Sequence, residues 1–260
     1  MIINGILTEN ISAFSGYIVN FLFILLRAGI FVALMPVIGE KKFPGQFRMG
    51  LAVFIALLLT PVVHFEIREN QIPLLVLKEI LIATSLGLTV RLVFMAINVS
   101  GHYISHTVGM SMARVFNPEM GQSTVISEVY GIMAMLLFLA MNAHHDLIIV
   151  FVKSFELLPA GQINIAAIVP VMMSMGSKFF IISMKIAAPV IVGLLISHLL
   201  TGFLYKAAPQ MNIFFIAWPL NLFLGFLLML LSLPVFEHVV GINFSDMRNE
   251  MIKVISFAKG

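Results

Sequence analysis

The side chains able to hold a metal or relay a proton are few in this 260-residue chain: seven histidines, twelve carboxylates and no cysteine. The absence of cysteine excludes disulfides, thiolate metal sites and thiol nucleophiles. His144, His145 and Asp146 form the densest polar cluster. Neighbours on a helix point about 100° apart, so the two imidazoles suit one metal ion poorly, and a polar helix-end cap is the plainer reading. His102 and His106 are better spaced, at i and i+4, but no carboxylate or thiol close by in sequence completes a zinc set. A scan finds no phosphate loop, dinucleotide-binding glycine pattern, H-E-x-x-H or G-x-S-x-G. The expectation is therefore no catalytic residue, no metal and no cofactor.

The charges that stand out lie inside apolar runs. Arg27, Lys78, Glu79, Arg91, Glu128, Lys178 and Lys185 all interrupt such stretches. A central Arg or Lys costs about 2.5–3.5 kcal/mol in a lipid-facing helix even on the lenient insertion scale. Lys78, Glu79 and Lys178 are near enough to stretch ends to snorkel, whereas Arg27 and Arg91 call for partners inside a protein assembly. Glu128 is a counter-ion available to either. Arg27, Glu79, Arg91 and Glu128 are thus the candidate buried inter-helix charges.

The segment Gly109–Thr124, GMSMARVFNPEMGQST, is the least ordinary. Asn117-Pro118 and the glycines at 109 and 121 signal a turn. A plain surface turn has little use for Met110, Met112, Phe116 and Met120, while polarizable thioethers suit a surface that closes tightly yet accommodates varied chains. Irregular backbone at membrane depth is tolerated only where it is buried or lines a cavity. The residue chemistry therefore allows a constriction inside a conduit.

The elements that must position these groups follow from composition. Apolar residues make up 60% of the chain and charged residues 10%, against roughly 45–50% and about 25% in a soluble domain. The mean hydropathy is +1.07. Disorder, coiled coil and nucleic-acid binding all need charge that this chain lacks, and a net charge of +3 makes no basic patch. Six apolar stretches remain: Ile11–Ile38, Met49–Phe65, Ile72–Asn98, Thr124–Val152, Ala166–Tyr205 and Met211–Val240. Each reaches or approaches the ~20 residues that cross a bilayer as helix. Runs such as Leu222–Leu233 show no strand-like alternation, so the fold class is all-α, with about six long helices in a membrane or an apolar assembly. The acidic Glu9 and the length of the first run argue against a cleavable leader. The basic residues of the connections divide evenly between the two sides, so charge leaves the orientation open.

Three stretches resemble the FliR/SctT family of type III secretion. Lys206–Phe236 carries its A-P-Q-x-x-x-F-x-x-x-x-P-L-x-x-x-x-G frame on Ala208, Pro209, Gln210, Phe214, Pro219, Leu220 and Gly225. Glu79–Ile82 with Gly87, then Gly101, Gly109, Met110, Ser111 and Ala113 ahead of Pro118 and Gly121, resembles a second. Leu136–Ile148 resembles a third. The order and length match over nearly the whole chain. His102, Asn117 and Ala143 depart from the family's usual acidic residue, Asp and Gly, which weakens any charge-based role there.

The resemblance implies an export-gate subunit that assembles with FliP and FliQ, with FlhB on the cytoplasmic side and FlhA as a further neighbour. That assembly sits at the inner membrane within the basal-body MS ring and passes unfolded substrates. It implies a pore plug on 108–122, with Met110, Met112, Phe116, Asn117, Pro118 and Met120. It also implies a FlhB-side loop with Lys206, Pro209, Gln210, Met211 and Asn212. Residues 11–165 would form the amino-terminal helices, 166–240 a FliQ-like hairpin, and 241–260 an amphipathic tail, with both ends periplasmic. The alternatives are an injectisome subunit of the SctT type, or a proton-coupled secondary transporter using Arg27, Arg91 and Glu128. The transporter predicts inverted repeats, and none is visible in the sequence.

Overall fold

The computed structural model describes residues 2–36, 39, 43–63, 72–110, 124–159, 163–207, 210 and 214–259, with the side chains of 2–15, 205 and 214 left aside. Seven helices occupy those residues: α1 (Ile2–Leu34), α2 (Gly45–Leu59), α3 (Ile72–Val108), α4 (Val125–Ala140), α5 (Ala143–Leu157), α6 (Ile165–Ala207) and α7 (Phe214–Lys259). No strand occurs among them. Four helical segments, Gly16–Leu34, Ile72–Val108, Ile165–Leu204 and Phe215–Lys259, are long and apolar enough to cross a membrane.

The helices differ from the six apolar stretches in three places. The second stretch gives only the 15-residue α2, about 22 Å at 1.5 Å per residue and short of a bilayer core. The fourth is broken rather than continuous: α4 and α5 meet at 69°. Asn142 there adopts φ 55°, a left-handed conformation that asparagine tolerates and that stops a helix. The pair counts as a fifth span only if the bend is crossed as one. Last, α7 continues through Lys259 instead of ending near Val240, because Gly241–Lys259 holds neither a proline nor a further glycine to stop it.

The chain divides into two compact units. The first comprises Met1–Arg91, His144–Met175 and Asp246–Gly260. Its core includes Phe31 stacked on Phe151 at 4.4 Å, and Phe151 edge-on to Phe155 at 5.3 Å. Asn20 donates to the carbonyls of Thr60 and Val63, tying α1 to the end of α2. The Asn164 amide donates to the Ala258 carbonyl at 2.8 Å, fastening the chain before α6 to the last turn of α7.

The second unit comprises Leu92–Ala143 and Gly176–Ser245. Phe94, Phe138 and Phe244 form a three-ring cluster with centroids 5.3–5.5 Å apart. Here α6 and α7 pack closely: the Ser197 hydroxyl donates to Asn221 Oδ1 at 2.9 Å, and a Cβ on Gly193 would come within 2.9 Å of the Leu228 side chain. Buried hydroxyls otherwise bond carbonyls of their own helices, as Ser100 does to Ile97 and Ser232 to Met229. These serine hydroxyls are thereby buried with their donors satisfied.

Candidate functional site

The second unit fixes both ends of the methionine-rich segment. Val108, the last residue of α3, is buried, and its side chain lies where a Cβ on Gly225 of α7 would sit, 2.6 Å from Val108 Cγ2. Gly109 follows with φ +90°, a conformation that disfavours any L side chain. The Trp218 indole packs over it, and a Cβ there would lie 3.4 Å from Cδ1. The chain thus leaves α3 with a sharp turn held beneath α7, and Met110 beside it is half-buried.

The other end is held by a capping box. Thr124 Oγ1 accepts from the Ser127 amide at 3.1 Å, and the Thr124 amide donates to Ser127 Oγ at 3.0 Å. This satisfies backbone groups that the first turn of α4 would otherwise leave unpaired. Ser127 is fully buried because α3 crosses it at Gly101, where an added Cβ would clash with the Ser127 backbone. Gly101 and Gly225 are therefore two close-packing positions that brace the segment. Met112, Phe116, Asn117, Pro118 and Met120 lie outside the described residues.

The first unit holds a buried ion pair. Arg27 Nε donates to Glu79 Oε2 at 2.6 Å and Nη2 to Oε1 at 2.8 Å, with both side chains fully buried. Nη1 donates to the Ser154 carbonyl and hydroxyl, and Nη2 to the Leu158 carbonyl. All five guanidinium donors are used, which is the condition under which a buried charge is tolerated. The cation also lies 4.3 Å from the Phe155 ring centroid. Arg27 joins α1 to α3 through Glu79 and accommodates carbonyls at the end of α5, where negative helix-dipole charge accumulates.

Arg91 and Glu128 do not join this pair. Both are exposed on this chain, so among the four charges the described residues bury only Arg27 and Glu79. The burial expected for the other two is not supplied within the chain. Lys206 and Gln210 are exposed at the end of α6 and beyond it, while Pro209, Met211 and Asn212 lie outside the described residues.

The histidine cluster resolves into surface contacts. The His144 and His145 rings are 4.2 Å apart and tilted by 49°, and Asp146 lies 3.6 Å from Arg248 Nη1. Among the described residues no three His, Cys, Asp or Glu side chains come close enough to hold a metal ion. Sequence reasoning placed Val108 in the loop and missed Trp218, Ser127, Ser154 and the Leu158 carbonyl. The Ser127 cap carried a signal, Thr124 three residues before it ahead of an apolar run. A backbone carbonyl carries none.

The family model described as bacterial export proteins, family 1, matches residues 18–247. The flagellar biosynthetic protein FliR of Caulobacter vibrioides is 33% identical over 254 residues, covering 94% of this chain and 98% of that protein. FliR of Escherichia coli is 31% identical over 242 residues, covering 89% and 91%, and FliR of Bacillus subtilis is 28% identical over 242, covering 88% and 93%. The range matched by the family model takes in the bracing glycines and the buried ion pair. On that near full-length likeness and an all-helical fold with several potential membrane spans, the chain belongs to the FliR family of flagellar biosynthetic proteins, within family 1 of the bacterial export proteins.

Proposed function

We propose that this chain is a subunit of the flagellar type III export gate, combining with FliP and FliQ at the inner membrane to form the conduit for unfolded substrates. In this reading residues 108–122 supply the plug, with Met110, Met112, Phe116 and Met120 as the water-excluding groups and Asn117-Pro118 as the turn. The observation that carries it is the bracing of both segment ends, Val108–Gly109 against Gly225 and Trp218, and Thr124 by its capping box over Gly101. A plug that deforms around a passing chain needs fixed ends, so that its movement is not spent unwinding the flanking helices. Uncharged thioether and aromatic groups seal by contact without binding the substrate.

Two further features support an assembled state. The long apolar helices α6 and α7 leave Phe203, Phe215, Phe223 and Leu231 at least two-thirds exposed, an apolar surface far beyond what a soluble monomer carries. Arg91, exposed on an otherwise apolar helix, gains a partner from a neighbouring subunit. The turn with Lys206, Pro209, Gln210, Met211 and Asn212 is the FlhB-side contact, with FlhA beyond it and the basal-body ring around the assembly. The flagellar form is favoured over an injectisome by its likeness to three flagellar proteins at 28–33% identity. Co-expression with FliP and FliQ tests the proposal: a stable ternary complex in detergent is expected, and a solitary monomer or homodimer under the same conditions overturns it.

A further inference from the structure

An open groove of about 430 Å³ lies between α1 and α2 in the first unit, within the range of ~300–1,000 Å³ typical of ligand pockets. Its wall is apolar along its length, with Leu25, Gly29 and Ala33 from α1 and Ala52 and Val53 from α2. Arg48 stands in the same groove. Its Nη1 donates to the Gly39 carbonyl at 3.3 Å, Nε is enclosed, and the guanidinium makes no other hydrogen bond among the described residues, so its Nη2 donors are unmet. A guanidinium fork with an unmet donor, set beside an apolar slot, asks for one molecule with an anionic oxygen and a hydrocarbon part.

We infer that this groove binds an anionic phospholipid, with an acyl chain between α1 and α2 and the headgroup phosphate on Arg48. Three observations select that occupant. A free anion has no use for the slot, and an apolar helix from a protein partner leaves the Arg48 donor unmet. In sequence, residues 40–48 carry Lys41, Lys42 and Arg48 against a single acidic residue, Glu40, a net charge that favours an anion. The adjoining α1 segment Gly16–Leu34 is long and apolar enough to cross a bilayer, and α2, too short to cross, exposes Phe47, Phe54, Leu57 and Leu58. Basic pockets between membrane helices are a recurrent way of holding acidic lipid headgroups.

The test uses the full-length protein in mild detergent, with phosphatidylglycerol and phosphatidylcholine titrated in and bound lipid read by native mass spectrometry. The wild type should retain phosphatidylglycerol in preference to phosphatidylcholine, and inorganic phosphate should not displace it. Arg48→Gln should weaken phosphatidylglycerol binding about fivefold, the effect of one basic group at a membrane surface. Gly29→Phe should block it by filling the slot, since a Cβ at Gly29 meets no atom within 4 Å and the ring starts in open space. Equal retention of both lipids by the wild type overturns the inference without recourse to any variant. Unchanged phosphatidylglycerol binding in both variants, or its displacement by phosphate, also overturns it.

Discussion

Replacing Glu79 with leucine removes both carboxylate acceptors from Arg27 and leaves a guanidinium with no exposed surface. Two of its five donors, at 2.6 and 2.8 Å, lose their partners at once, while the Ser154 and Leu158 carbonyls supply only neutral oxygens. Breaking one side of a buried pair costs about 3–5 kcal/mol, a large share of the ~5–15 kcal/mol that holds a typical domain folded. Removing both charges, as Arg27→Met with Glu79→Leu, deletes the stranded cation as well. What is then lost is the bonds to the Ser154 carbonyl and hydroxyl and the Leu158 carbonyl, and the contact with Phe155, about 1 kcal/mol each. The two single losses should therefore not add: the double variant should be about as stable as Glu79→Leu alone, well above the sum of the two single losses. Thermal unfolding of the full-length protein in detergent, for wild type, both single variants and the double, measures this directly. Additive losses, or a Glu79→Leu protein within about 1 kcal/mol of wild type, would refute the reading of a desolvated and fully satisfied pair.

Gly101→Leu should destabilise the second unit by more than the ~1–3 kcal/mol usual for overpacking, because its Cβ meets Ser127 backbone rather than a movable side chain; proteolysis of the 111–123 segment should quicken with it, and unchanged cleavage would count against the bracing. Cysteine at Gln210, which is exposed, should react with a thiol reagent from the cytoplasm and crosslink to FlhB; labelling from the periplasm alone would reverse the proposed orientation.

The legibility of this protein varied with the physical range of each signal. Helices were visible because hydrophobic content and missing alternation are properties of whole stretches, and the run 72–98 lies within α3. The break between α4 and α5 was not visible, since it depends on Asn142 accepting a left-handed conformation, and asparagine is also at home in helices and turns. Arg27 stood out from its sequence surroundings as a costly cation. Its partner was harder to choose, because Glu79 and Glu128 are equivalent in sequence and only folding places Glu79 against it. Arg91 illustrates the converse: an equally costly cation in sequence lies exposed on the isolated chain. Gly101 and Gly225 entered the sequence reading as parts of a motif, and their physical reason, close approach to Ser127 and Val108, needed three dimensions.

The most direct test of the central claim is the ion permeability of cells expressing the gate components when Met110, Met112, Phe116 and Met120 are all replaced by alanine. Small apolar side chains cannot close the gap by contact, so the account predicts a complex that assembles in normal amount and leaks ions and small solutes. An assembled variant as tight as the wild type would contradict it and return residues 108–122 to an ordinary surface turn.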